Sequence, residues 1–265
     1  MTLLRVDPVH PDPAALRQPA EVLRAGGLVA FPTETVYGLG AHALDPAAVQ
    51  RIYEAKGRPS YNPLIVHLAD VDAARGLASS WPEQAERLAA AFWPGPLTLV
   101  VPKNDSIPDS VTAGLPSVAL RVPAHPVAHA LLRAAGIPVA APSANRSTQV
   151  SPTTARHVER SLGARVDVIV DGGPCPVGIE STVLSLVGPV PTLLRPGTVS
   201  VEDLRPVIGD VALPSSATDA TAARPSPGML DRHYAPRAAV RVLPRQGRAR
   251  ALAQAAREVD GGKRV

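Results

Sequence analysis

Apolar positions between 14 and 24 recur at helical spacing and stop at Gly26-Gly27, after which Leu28-Val29-Ala30-Phe31 runs without a polar break. The first pattern predicts a helix and the second a short buried strand. Asp45-Pro46 offers an N-cap and a first-turn proline for a helix reaching about Ala55, before Gly57 and Pro59 interrupt it. The apolar run 64–68 reads as the next strand. Further strands are predicted at 97–101, 118–122, 138–141, 166–170, 182–187 and 192–194, with helices near 82–92, 126–135 and 152–162. Some neighbouring strands lack a helix between them. The expected fold is therefore α/β, a twisted mixed sheet with flanking helices, and not a regular doubly wound sheet.

Ser200-Val201-Glu202-Asp203 has the form of a capping box, opening a short helix that ends near Gly209. Residues 212–227 then carry few large apolar groups and read as a linker. No internal repeat is present.

Composition narrows this picture. A chain of 265 residues with 45% hydrophobic content supports one large core, or one core with a smaller appended unit. Aromatic residues make up only 3%, so Val, Leu, Ala and Ile must build that core, as in strands buried between helices. The net charge of +4 suggests a nucleic-acid surface until it is located: residues 237–265 carry +6 and residues 1–236 carry −2. The main domain is slightly acidic. Cys175 is the only cysteine, which excludes an internal disulfide and fits a reducing compartment. Within Gly-Gly-Pro-Cys-Pro it reads as a structural loop residue before a nucleophile. The first thirty residues contain Asp7, Asp12 and Glu21 with no signal-like apolar run, and no stretch approaches a membrane span. A cytoplasmic protein without membrane contact is expected.

Candidate chemistry lies at strand ends, where α/β proteins place ligands. Phe31-Pro32-Thr33-Glu34-Thr35-Val36-Tyr37-Gly38-Leu39-Gly40 crowds hydroxyls, a carboxylate and two glycines behind a buried strand. An ordinary polar turn, with Gly38 and Gly40 supplying unusual backbone angles, is the competing reading. Lys56-Gly57-Arg58-Pro59 sets two cations at a helix C-terminus, either complementing its dipole or binding phosphate at a cleft. Alternation puts His67 opposite Val66 and Leu68, which fits a satisfied core histidine as well as a ligand contact. Ala141-Pro142-Ser143-Ala144-Asn145 ends another strand with short polar groups. Ser151 precedes a predicted helix as a plain N-cap or as part of an anion site. Gly178-Ile179-Glu180-Ser181-Thr182 and Arg195-Pro196-Gly197 add two more loops. There is no Walker A loop, no Gly-x-Ser-x-Gly elbow and no His-Glu-x-x-His, so several loops must share the work.

Taken together, Pro32 to Gly40, Lys56-Gly57-Arg58, Asn62-Pro63-Leu64-Ile65-Val66-His67, Trp93-Pro94-Gly95-Pro96-Leu97-Thr98, Pro142-Ser143-Ala144-Asn145 and Arg195-Pro196-Gly197 closely resemble the YrdC-like threonylcarbamoyl-AMP synthases over about residues 5–210. The resemblance implies a nucleotidyltransferase with a concave ligand cleft, joining L-threonine, bicarbonate and ATP into threonylcarbamoyl-AMP and pyrophosphate. Partner proteins then carry the threonylcarbamoyl group to a tRNA adenosine, and direct tRNA binding by this chain is left open. By the same resemblance Lys56, Arg58, Ser143 and Asn145 form the catalytic signature. Thr33, Thr35, Tyr37, His67, Ser143 and Ser181 line the threonine side. Lys56, Arg58, Thr112, Arg121, Asn145, Ser151, Arg195 and Tyr234 hold ATP. Mg²⁺ is expected on the phosphates, with no protein side chain assigned as its ligand.

The resemblance divides the chain into a catalytic domain at 1–210, a linker at 211–236 that is a candidate lid over the site, and a basic remnant of a second, Rossmann-like domain at 237–265. The family's longer branch continues further, so truncation and loss of the domain both remain open. Two other readings compete: a carbamoyl-transfer domain of related fold, disfavoured by the single cysteine and the lack of a larger zinc-bearing chain, and a non-catalytic RNA-binding module, disfavoured by the −2 charge of residues 1–236.

Overall fold

The computed structural model describes residues 1–213. Its strands are β1 (Thr2–Arg5), β2 (Val29–Phe31), β3 (Gly38–His42), β4 (Ile65–His67), β5 (Leu97–Pro102), β6 (Ser117–Arg121), β7 (Val139–Ala140), β8 (Val168–Asp171), β9 (Thr182–Ser185) and β10 (Thr192–Arg195). Its helices are α1 (Arg17–Arg24), α2 (Pro46–Lys56), α3 (Val71–Arg75), α4 (Glu83–Phe92), α5 (Asp109–Thr112), α6 (Pro126–Ala135), α7 (Ala155–Leu162) and α8 (Val201–Ile208). The strands run β1-β8-β2-β3-β7-β4-β6-β5-β9-β10 across one sheet. Pairs β1/β8, β8/β2, β4/β6 and β5/β9 are parallel, and the remainder are antiparallel. The mixed sheet read from the sequence is thus the one observed.

Local chemistry accounts for the helix ends. Asp45 accepts a hydrogen bond from the Ala47 N–H with Pro46 in the first turn, and Gly57 closes α2 in the left-handed conformation at φ 58°. Ser200 and Asp203 form the reciprocal capping box expected of α8. The helix predicted from 152 begins instead at Ala155, because the cap is Thr154, whose side chain accepts from His157 N–H. Ser151 therefore lies outside α7. Ala212, within the predicted linker, is tied to the sheet through Leu193 N–H and its own N–H to Pro191 O, at 2.8 Å each. No helix among the described residues is long and apolar enough to cross a membrane.

The sequence pattern does not predict β3, and the roles of Gly38 and Gly40 differ from the turn reading. Neither has a positive φ. Both lie in β3, and a Cβ on Gly40 would stand 2.8 Å from Val139 Cγ1 and 2.9 Å from Phe31 Cε1. Gly40 is small because two strands and an aromatic ring meet over it, not because the chain turns there.

Strand alternation sorts the two faces of the sheet. On one face Leu64, Val66 and Leu68, Leu97, Leu99 and Val101, and Val118, Leu120 and Val122 join the large core with residues of α2, α4, α7 and α8. On the other face α1 and α6 pack over Val29, Phe31, Val139, Val168 and Val170. Beyond β7 that second face is floored by a small apolar group, Ile65, Val100, Ala119 and Val183. The polar strand positions described next stand beside this floor.

Candidate functional site

A cleft opens here, lined by Thr33, Thr35, Val36, Gly38, Arg58, Ile65, His67, Arg121, Ala141, Pro142, Ser143, Glu180, Ser181 and Arg195. It brings together residues up to 162 positions apart in the chain. His67 is paired in register with Arg121 across the parallel β4/β6 ladder, so both project from the same face as Ile65 and Ala119.

The loop after β2 is held by a directional chain of hydrogen bonds. Arg121 Nη1 donates to Thr35 Oγ1 at 3.0 Å, and Thr33 Oγ1 donates to Val36 O at 2.7 Å. Thr33 has then spent its one proton, so the 2.8 Å contact between the two hydroxyls is a donation from Thr35 to Thr33. Arg121 also donates to Gly95 O at 3.2 Å and to Glu34 Oε1 at 2.7 Å, and Glu34 Oε2 accepts Ala124 N–H at 3.1 Å. Both oxygens of Glu34 are thereby engaged.

On the facing side, Arg195 donates to Ser181 O and to Ser181 Oγ at 3.0 Å each, and Thr98 Oγ1 lies 2.7 Å from the same hydroxyl. Arg58 curls back on its own turn, donating to Asn62 O at 3.1 Å and Pro63 O at 2.7 Å. His67 is buried, and its Nδ1 has no hydrogen-bond partner among the described residues. Burial first, and the Arg121 charge second, push its imidazole down to about 3, so it is neutral at physiological pH. The Phe31 ring meets it edge-on at 6.3 Å between centroids.

Several residues assigned by the resemblance do not line the cleft. Lys56 is buried, and its ammonium donates to Ser143 O and Asn145 O. Burial lowers its pKa well below the ordinary lysine value, Arg58 pushes the same way, and Glu180 opposes. It acts from behind, holding the 143–147 loop, and its own carbonyl accepts Ser147 N–H at 2.9 Å. Asn145 folds inward, donating to Arg146 O at 3.0 Å and Gln149 O at 2.7 Å, while its Oδ1 has no partner among the described residues. Thr112 is buried, and its hydroxyl has no partner among the described residues.

Tyr37 is directed away from the cleft: its hydroxyl donates to Gly173 O at 2.7 Å, and burial together with Asp171 raises its pKa. With that proton committed, Tyr37 is not among the residues that line the cleft. Ser151 is likewise displaced, its hydroxyl held by the Glu180 carboxylate. Tyr234 and the lid reading of 211–236 beyond position 213 lie outside the described residues. Cys175 is buried, and burial pushes its thiol up to about 12, which fits the structural reading over a nucleophile.

Two residues missed by the sequence reading stand out. Glu180 is the one carboxylate among the cleft-lining residues. Asn62 is fully buried with both side-chain polar atoms unpartnered among the described residues. Its place inside the motif leading to His67 was a signal for it. Among the described residues no cluster of three or more His, Cys, Asp or Glu is arranged to hold a metal.

The family model named Sua5/YciO/YrdC, described as telomere recombination, matches residues 21–197. The model described as the C-terminal domain of threonylcarbamoyl-AMP synthase matches residues 199–265. A threonylcarbamoyl-AMP synthase of Bacillus subtilis is 49% identical over 252 residues, spanning 94% of this chain and 72% of that protein. One of Pyrococcus abyssi is 50% identical over 229 residues, spanning 86% of this chain and 67% of that protein. The solved structure of P. abyssi Sua5 complexed with L-threonine superposes with a TM-score of 0.93 at 44% identity, covering 99% of this chain and 78% of that one.

Proposed function

The chain belongs to the Sua5/YciO/YrdC family, and on that premise we propose that it is a threonylcarbamoyl-AMP synthase, which condenses L-threonine, bicarbonate and ATP and releases pyrophosphate. The observation that carries this reading is the cleft itself, with three guanidinium groups, Arg58, Arg121 and Arg195, around a wall of hydroxyls. Guanidinium groups suit phosphates, and the hydroxyls of Thr33, Thr35, Ser143 and Ser181 suit a small polar amino acid. The likeness to a Sua5 complexed with L-threonine supports the second half of this assignment.

In this mechanism threonine and bicarbonate give a carbamate, and its oxygen attacks the α-phosphorus while the bond to the β-phosphate oxygen breaks. No covalent enzyme intermediate is required. Arg58 and Arg195 neutralise the triphosphate, and Arg121 acts twice, as a cation and as the donor that fixes Thr35 and through it Thr33. Lys56 fixes the loop that presents Ser143 to the cleft. His67, neutral and buried, offers a hydrogen-bonding nitrogen without adding charge. Catalysis is then mainly positioning and electrostatic stabilisation, as in other phosphoryl and nucleotidyl transfers. Mg²⁺ arrives with ATP as part of the substrate. The product passes to tRNA-modifying partners.

The test is pyrophosphate release from ATP by the full chain. It is expected only when threonine and bicarbonate are both present, and to fall at least about 100-fold in Arg58→Ala. Release independent of threonine, or unchanged in that variant, contradicts the proposal. Salt-sensitive RNA binding without ATP turnover would favour the RNA-binding alternative instead.

A further inference from the structure

Carbamate formation has a chemical requirement that none of the roles above meets. Threonine carries an ammonium group at neutral pH, and nitrogen attacks the carbon of bicarbonate only after losing a proton. The cleft is rich in donors and cations, and few of its groups can accept that proton. Lys56 has its ammonium committed to Ser143 O and Asn145 O. Glu34 has one oxygen on Arg121 and the other on Ala124 N–H. His67 is buried beside Arg121, in surroundings that disfavour an imidazolium.

Glu180 is different. It lines the cleft next to Ser181, half-buried, with one oxygen accepting from Ser151 Oγ and the other without a hydrogen bond among the described residues. The backbone before it is anchored to the threonine-side loop, Val177 N–H donating to Glu34 O at 3.0 Å and Gly178 N–H to Thr35 O at 2.9 Å. After it, Thr182 N–H donates to Pro96 O at 3.0 Å. Arg58, Arg121 and Arg195 line the same cleft, and Lys56, behind it, interacts with Glu180 through charge. A carboxylate oxygen with no donor on it has lone pairs directed at the cleft that can accept a proton.

We infer that Glu180 is the general base that deprotonates the threonine ammonium, a role that rests on the synthase reading above. Its unpaired oxygen takes one proton from nitrogen. The freed lone pair attacks the bicarbonate carbon, the N–C bond forms, and hydroxide leaves with the second nitrogen proton as water. A carbamate remains, and the proton stays on Glu180 through the transfer to phosphorus, returning to solvent afterwards. Glu180 is neutral when the carbamate oxygen meets the α-phosphate, so the base removes its own negative charge from a cleft that must bring two anions together.

The experiment is Glu180→Gln, which keeps an oxygen for Ser151 and loses only the basic site. With saturating ATP and bicarbonate, wild type is expected to show a flat kcat/KM for threonine between about pH 7 and pH 9, whereas the variant is reduced about 100-fold or more at pH 7 and recovers about tenfold per pH unit as solvent supplies the free amine. Its KM for ATP stays within a few-fold. A Gln variant as active as wild type, or one reduced equally at every pH, overturns the assignment. If the Gln variant does not fold, Glu180→Asp retains a carboxylate, and its profile must stay flat at a lower rate; a profile rising tenfold per unit there overturns it equally. A wild-type chain lacking threonine- and bicarbonate-dependent pyrophosphate release overturns the synthase reading itself, and is told apart by needing no variant.

Discussion

Arg121 and Glu34 form an ion pair at 2.7 Å, with side chains only 4% and 11% exposed, and it joins β6 to the loop after β2. Each partner is what makes the other tolerable in a dry place.

Removing both partners should therefore cost less than the two single removals added together. Arg121→Met leaves the Glu34 carboxylate with the Ala124 N–H alone, and about 3–5 kcal/mol of stability is expected to be lost. The double variant with Glu34→Gln should lose less than the sum of the single variants by at least about 1 kcal/mol. Urea denaturation of the four proteins decides it, and strictly additive losses would mean that the pair contributes nothing.

This pair also marks where the sequence stops being informative. The hydroxyl-rich motif after Phe31 is visible as a candidate site, and alternation alone places His67 opposite Val66 and Leu68, as found. What Arg121 does for Thr35 depends on a contact between residues 86 positions apart and on the β4/β6 register, which no local pattern encodes. Tyr37 shows a related limit: a motif names residue types, but the direction of a side chain is set by the strand it leads into, and here it runs to Gly173 O. Strand β3 was missed because Gly-Leu-Gly-Ala-His has neither alternation nor β-branched residues, and β1, α3 and α5 because four or five residues make too short a pattern. Glu180 carries no sequence signal that sets it apart from the hydroxyl residues beside it.

His67 supplies a pH-dependent contribution whose sign is fixed by its environment. Its folded pKa of about 3 lies below the ordinary 6.5, so between those values the unfolded chain binds a proton that the folded protein does not. The contribution is whole above 6.5 and is lost as pH falls toward 3. Between pH 7 and about 4.5 wild type should lose about 2–3 kcal/mol more than His67→Gln. Denaturant titrations at the two pH values measure it, and parallel losses would rule out the neutral buried imidazole.

Gly40 tests close packing separately from backbone freedom. Its φ is ordinary, so Gly40→Ala meets no conformational strain, but the added methyl enters the space of Val139 Cγ1 and Phe31 Cε1. A loss of about 1–3 kcal/mol is expected. Adding Val139→Ala opens one side and should return part of that loss in thermal unfolding. A Gly40→Ala protein as stable as wild type would show that β3 can yield.

Lys56 offers the clearest separation of holding a site from touching its substrate. Its ammonium binds Ser143 O and Asn145 O, and its carbonyl takes Ser147 N–H, so one residue secures three points of the loop that presents Ser143 to the cleft. Lys56→Met keeps most of the buried stem and removes only the donor. A buried carbonyl and a part-buried one then lose it, at about 1–3 kcal/mol for the buried one before relaxation. Hydrogen exchange should quicken at residues 143–147 and stay unchanged in β5, and pyrophosphate release should fall at least about 100-fold. A lysine acting only as a phosphate cation would lose the activity without loosening the loop. Unchanged exchange at Ser147 in an inactive Lys56→Met protein would assign the ammonium to the substrate instead.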